Sequence, residues 1–593
     1  MARLGSGSFL LISTITLASL YFRRVEPRPE RMRFALNAPD KTTFGDSLAL
    51  SPDGRRLAFI ALAATGEPNL WVRTLDSVDA QKLPGTEGAA TPFWSPDGRH
   101  LGFFANGKLK TIEASGGPIQ ILTETSADTR GGTWGPDGTI LFSPNPGSPL
   151  FKVSVKGGPA TQITEFDQER VQTSHRWPWF LPDGRHYLYF GRGIKKGSEG
   201  IFVGSLDSSE RKFLLGSKVR AIYTGSSGDT LRGYLLYVHE GTLLAQPFDA
   251  SKLEITGESI SIAQNVLSYP SEFGPTANCV ISVSTNGHLV FRSGGPPITR
   301  PAWEDRSGKG AEPIVSPGVY REPMISPDGK KIALSRQVES TEDIWLIETV
   351  PDVRMTRFTF DPAADVSPIW TPDGSQVIFA SNRNGKFELY KKGAGGAGAD
   401  ELILSADGNC FPHGVTPDGR YVLFEMGGGP RANVDIWAVP TFGDRKPFAI
   451  VESDFFETHA QFSPDGQWVA YVSNESGRAE VYVQSFPSSG GKWQISTAGG
   501  DQPMWNPLGG ELFYMAPDRS IVSVSYKVVD HNFQTGQRTA LFATRVQPSS
   551  LVDDRNSYAL SPDGKRFLVN NLVDEVASTP LTLVLNWDAD LKK

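Results

Sequence analysis

Four residues, Ser51-Pro52-Asp53-Gly54, return near-identically along the chain and limit what it can fold into. The same turn stands at Ser95-Pro96-Asp97-Gly98, Gly135-Pro136-Asp137-Gly138, Leu181-Pro182-Asp183-Gly184, Ser326-Pro327-Asp328-Gly329, Thr371-Pro372-Asp373-Gly374, Thr416-Pro417-Asp418-Gly419, Ser463-Pro464-Asp465-Gly466 and Ser561-Pro562-Asp563-Gly564. Proline presets φ at the second turn position, aspartate bonds its own nearby backbone, and glycine takes the left-handed conformation that a Cβ resists. A β-rich run such as Arg56-Leu57-Ala58-Phe59-Ile60 follows each copy, so each turn joins two strands of a hairpin.

The spacing sets the architecture. Turn aspartates at 53, 97, 137 and 183 are 44, 40 and 46 apart, and those at 328, 373, 418 and 465 are 45, 45 and 47 apart. A period in the forties is four short strands per unit, the arithmetic of a propeller blade. Degenerate turns at Ser227-Gly228-Asp229, Thr285-Asn286-Gly287 and Asn506-Pro507-Leu508-Gly509 bring nine units to twelve. Twelve exceeds the range of roughly four to eight blades in one ring, so two rings are expected. Unit five is stretched from Thr242 to Gly257 and unit eleven from Ile521 to Gly536; unit six reaches Pro301-Ala302-Trp303 and unit twelve reaches Val584-Leu585-Asn586-Trp587. The irregularities repeat every six units. The expected fold is all-β: two tandem six-bladed β-propellers of four-stranded antiparallel blades, at 32–308 and 309–593, each closed by its own first strand, Arg33 to Leu36 in ring one and Glu312 to Val315 in ring two.

Ahead of the repeats, residues 4–22 carry no charge, which is the length of a helix that crosses a bilayer. Residues 1–31 are therefore expected to be a membrane anchor and linker, uncleaved because no small-residue cleavage site precedes Arg23-Arg24. The net charge of −7, from 58 basic and 65 acidic residues with no basic block, argues against nucleic acid. Cys279 and Cys410 fall in different expected rings, so no disulfide is expected.

The innermost strand of each blade runs into its turn, so residues a strand's length upstream ring one mouth of the channel. In ring two these include Arg321, Glu322, Asp365, Cys410 to His413, Glu457, His459 and Asp501; in ring one, Asp46, Arg130 and Gln172 to His175. The candidate ligand set is Arg321, Glu322, Asp365, His413, Glu457, His459 and Asp501, with His175 in ring one. The competing reading is that these groups are solvated loop ends or pair with one another. Asp53 and its equivalents read as turn formers, and Trp71, Trp345 and Trp437 as inter-blade core.

The repeated turn, together with Ser381-Asn382-Arg383-Asn384-Gly385 leading to Glu388-Leu389-Tyr390 and Ser473-Asn474-Glu475-Ser476-Gly477 leading to Val481-Tyr482-Val483, resembles the WD40-like PD40 repeats of the TolB-type propeller family. From about residue 10 the chain also resembles the transmembrane-plus-propeller half of bacterial eukaryotic-like serine/threonine kinases. That resemblance implies a cytoplasmic amino end, propellers on the periplasmic side, and a sensor or binding role toward a protein, peptide, signalling or envelope component. The kinase itself is missing: no Gly-rich loop with its strand lysine, no His-Arg-Asp loop and no Asp-Phe-Gly occur. A Gly-x-Ser-x-Gly elbow, a P-loop, His-Glu-x-x-His and clustered Cys/His spacing are also missing. No catalytic residue, cofactor or metal is expected, and the alternative is a hydrolase- or lactonase-like site assembled by several blades around a channel.

Overall fold

The computed structural model describes residues 30–591 apart from 64–66, 127–128, 194–196, 227–228, 270–276, 296, 311, 339–340, 351, 428–433, 488–489, 531, 548–555 and 574–578. The expected helix at 4–22 lies outside the described residues. Among the described residues, no helix is long and apolar enough to cross a membrane.

Each turn forms as its residues dictate. Ser51 Oγ donates to Asp53 Oδ1 (2.5 Å), which also accepts from the Arg55 amide (3.1 Å), and Ser51 Oγ accepts from the Arg56 amide (2.9 Å). The same hydroxyl-to-aspartate bond closes the turns at Ser95, Ser326, Thr371, Ser463 and Ser561. Leu181 has no hydroxyl, and Asp183 takes His186 Nδ1 instead (2.5 Å). Gly54 sits at φ +66°, where a Cβ would meet the Asn286 and His288 side chains of a neighbouring turn.

Among the described residues these hairpins build twelve antiparallel sheets of four strands, one of them with a fifth, beside a two-stranded ladder of Ser268–Tyr269 with Asn278–Cys279. The sheets fall into two sets of six. The first strands of the first set are Thr42–Leu50, Ala90–Trp94, Gly132–Trp134, Gln172–Phe180, Ala221–Ser226 and Ile281–Val283; those of the second are Val319–Ile325, Asp365–Trp370, Asn409–Val415, Glu457–Phe462, Asp501–Trp505 and Tyr558–Leu560. In each set every sheet packs on the next and the sixth returns to the first. One apolar core fills each of the twelve junctions. Trp71, Trp345 and Trp437 pack against three of these cores. Indoles just ahead of three turns also bind across a junction: Trp94 donates to Ala49 O (2.8 Å), Trp370 to Met324 O (3.0 Å) and Trp505 to Gln461 O (3.0 Å).

The sixth sheets depart from expectation. The outermost strands do belong to their expected sets, Met32–Leu36 in the first and Glu312–Pro313 in the second. The third strands are exchanged. Thr299–Asp305, expected in unit six, pairs with Arg566–Leu572 of the second set, while Leu581–Leu585, expected in unit twelve, pairs with Leu289–Arg292 of the first. The chain thus leaves the first set after Arg292, enters the second at the third strand of its sixth sheet and moves out to the edge strand Glu312–Pro313. It then runs through the other five sheets, completes the sixth, and returns to close the first. A physical reason lies in the connector Gly294-Gly295-Pro296-Pro297: consecutive prolines favour extended backbone and remove donors, so the sequence carries the chain onward instead of folding it back as a hairpin.

Candidate functional site

The upstream ends of the first strands share a distortion. Six residues before the third turn position, the backbone of the second set turns left-handed at Glu322 (φ 53°), Ser367 (φ 55°), His459 (φ 51°) and Gln502 (φ 50°), each inside a register shift between first and second strands. The first set does the same at Thr91, Gly131 and Trp177. A bulge of this kind re-aims its side chain out of the sheet, at a cost of roughly 1–3 kcal/mol for a non-glycine residue that its surroundings must offset.

In the second set the re-aimed groups bind sheet to sheet. Glu322 accepts from Ser335 Oγ (2.6 Å) in its own sheet and from the Ser367 amide (2.8 Å) and hydroxyl (2.7 Å) in the next. His413 Nε2 meets Glu425 Oε2 at 2.9 Å, and Thr458 of the following sheet donates to that same oxygen (2.8 Å). His459 Nδ1 stands 3.0 Å from Asp501 Oδ1 in the fifth sheet. The Gln502 side chain accepts from the Ser557 amide (2.7 Å), and Asn570 donates to Tyr320 O (2.6 Å), which returns the chain of contacts to the first sheet. The His413 and His459 rings lie 6.3 Å apart, so two histidine–carboxylate pairs face one another. All four of these side chains are buried.

The remaining candidates occupy the same level. Arg321 donates to the fully buried Glu342 (2.7 Å). Asp365 pairs with Arg383 (3.3 Å), yet burial outweighs that cation and pushes the carboxyl up to about 6. Burial likewise raises Glu457 to about 7, although Ser453 (2.8 Å) and Ser473 (3.0 Å) donate to it. His175 differs. Its ring is enclosed by Phe166 and Tyr189, its nitrogens meet Thr164 Oγ1 (2.7 Å) and Gln172 Oε1 (2.8 Å), and burial lowers its pKa to about 3. It is a neutral core histidine at neutral pH.

Sequence reasoning missed Glu425 and Glu342, which lie on second and third strands. The signal available was a carboxylate inside an apolar run, as in Tyr421-Val422-Leu423-Phe424-Glu425; such a group is buried only with partners. At the corresponding mouth of the first set, arginines take this place. Arg292 reaches Asp46 (3.0 Å), Arg176 donates to Ser174 (2.7 Å) and Pro146 O (2.6 Å), and Arg130 to Thr129 O (3.0 Å). Cys410 is buried and its thiol is pushed up to about 12, which makes it a poor nucleophile. Among the described residues, no group of three or more His, Cys, Asp or Glu is placed to hold a metal ion. A cavity of about 540 Å³ lies away from all of these groups, on the turn face between Pro372 and Pro417.

Residues 311–441, which take in the first two sheets of the second set and three strands of the third, match the PD40 family model, described as a TolB beta propeller domain. By sequence the chain is 36% identical over 52 residues to the Tol-Pal system protein TolB of Alcanivorax borkumensis, covering 9% of this chain and 12% of that protein. It is 27% identical over 182 residues to an uncharacterized peptidase of Bacillus subtilis, covering 28% of this chain and 25% of the relative. Both relatives are therefore matched over a quarter of their length or less. Among solved structures, the putative TolB from Agrobacterium tumefaciens is similar over 46% of this chain and 99% of its own, at 16% identity and a TM-score of 0.36. Over residues 311–441 the chain is thus similar to TolB beta propeller domains.

Proposed function

We propose that the two cyclic sets are six-bladed β-propellers tethered to a membrane by residues 4–22, and that they act as a non-catalytic binding or sensor module. The first propeller then comprises residues 32–292 with the returning strand Leu581–Leu585, and the second comprises 299–572. The ligand is a protein or peptide of the envelope or of a signalling system, held outside the cytoplasm, in keeping with the resemblance to kinase sensor halves. It docks over the upstream mouth of the second propeller. The mouth's acids and histidines are buried and pair with one another, the competing arrangement named above, so in this reading they brace the mouth and the ligand meets the exposed loop residues beyond them. The observation that carries the reading is this concentration of buried polar groups at one mouth, where Cys410, the thiol among them, is too weak an acid to serve as a nucleophile.

A second reading has one specific observation behind it. Two buried histidine–carboxylate pairs facing each other at 6.3 Å have the make-up of general-base sites. Assaying the full chain against esters, lactones and peptides separates the two. The binding reading expects no turnover. Hydrolysis lost in His413→Ala or His459→Ala, with unchanged thermal unfolding, would install the enzyme instead. Crosslinking in the native envelope should place partner contacts near Asn384, Lys386 and Glu475, beside the upstream mouth.

A further inference from the structure

The exchanged strand fixes where both ends of the described chain emerge. Met32–Leu36 runs antiparallel to Leu581–Leu585, with Met32 opposite Leu585 and Leu36 opposite Leu581. The segment before Met32 and the segment after Leu585 therefore leave the sixth sheet of the first set at the same end. Contacts hold them together there: Asn586 donates to Glu30 O (3.0 Å), and Arg31 stands 3.9 Å from Asp590.

That end is the turn face. The Trp587 amide donates to Gly287 O (3.1 Å), in the turn of the sixth sheet. That turn is bound in its own right to the Ser51–Gly54 turn: Thr285 N donates to Pro52 O (3.0 Å) and Asn286 to Asp53 O (2.9 Å). The seven residues 23–29 that separate the apolar segment from Glu30 reach at most about 24 Å when fully extended. They include Arg23, Arg24 and Arg28, which suit anionic headgroups.

We infer that the first ring presents its turn face, at the first and sixth sheets, to the bilayer that holds residues 4–22. Its opposite mouth, where Arg130, Arg176 and Arg292 gather, is turned away from the lipid. This rests on the anchoring reading given above, and the two are separable by experiment.

Arg55 and Glu67 are exposed at opposite ends of the eight-residue strand Arg56–Ala63, Arg55 on the turn face and Glu67 beyond the far end. The test uses the full chain in vesicles of phosphatidylcholine and phosphatidylglycerol, with a donor dye on Arg55→Cys or Glu67→Cys and an acceptor on lipid headgroups; Cys279 and Cys410 are buried. A separation of about 26 Å along the strand predicts energy transfer roughly twofold or more higher from position 55. Equal transfer, or more from position 67, in protein that floats with the vesicles overturns the facing and leaves the anchor standing. Protein that does not float overturns the anchor, and the facing with it.

Discussion

At the residue scale, the mouth of the second set depends on acids that burial holds near neutrality. Glu457 is raised in the fold to about 7, so between its unfolded value near 4.3 and 7 the folded chain binds more proton than the unfolded one. Stability from this group is full below that window and falls as pH rises through it. Glu457→Gln should remove the dependence: the wild-type minus variant difference in unfolding free energy should drop by about 2–3 kcal/mol between pH 4.5 and 7. A flat difference would show that Glu457 ionises freely. Glu425 serves a different purpose, since one carboxylate binds His413 in its own sheet and Thr458 in the next. Glu425→Ala should cost about 3–5 kcal/mol in denaturant unfolding, and Glu425→Gln distinctly less, because an amide oxygen still accepts.

How much of this was legible differs residue by residue. Ser51 and Asp53 form the turn their chemistry requires, and the left-handed positions stand at a fixed offset from it, which is why counting back found Glu322 and His459. Counting back could not tell what surrounds each side chain once it is buried. His175 sits eight residues before Asp183, as Asp365 does before Asp373 and Glu457 before Asp465, and all three are buried. Yet His175 is packed among aromatic rings, while the two acids sit among hydroxyl and cationic partners. Glu425 escaped because its own strand reads as ordinary sheet core.

At the element scale, the two third strands explain why period and composition determine the number of sheets but not the whole chain path. Pro301-Ala302-Trp303 and Leu583-Val584-Leu585 both fit the third place of either sixth sheet. Strand pairing is read from backbone hydrogen bonds that carry no sequence label. The stretched outer parts of units five and eleven, by contrast, were readable in the sequence: Thr242–Asp249 pairs with both Glu254–Ile255 and Ile260–Ala263, and Ser520–Val529 pairs with the twelve-residue Asn532–Ala543. Removing residues 579–593 takes away the partner of both Met32–Leu36 and Leu289–Arg292, so it should destabilise the first set while the second keeps its twelve-residue strand and its six sheets. Limited proteolysis should cut first between residues 32 and 292. Trp587→Ala tests the same point with one side chain. This fully buried indole packs edge-on to Tyr234 (5.5 Å) in a core of the first set, and its loss should cost about 3–5 kcal/mol there. Early cleavage within 299–572 in either variant would contradict the exchange.

At the scale of the whole molecule, the second set is a continuous segment inserted before the last strand of the first, which chain that has passed through the second then completes, so the two cannot be separated by one cut in a linker. The turns and the chain ends at Met32 and Leu585 share one side of the first set, and upstream loops with their acids, arginines and histidines share the opposite mouths. The proposed docking of a partner uses the upstream mouth of the second set. Its most direct test places a photo-crosslinking residue in the full chain in its native envelope, at exposed Ser476 beside the upstream mouth or at exposed Gln467 on the turn face of the same sheet. One discrete protein or peptide adduct is expected from position 476 and none from position 467. An adduct from 467 alone, equal adducts from both, or none from either would contradict it.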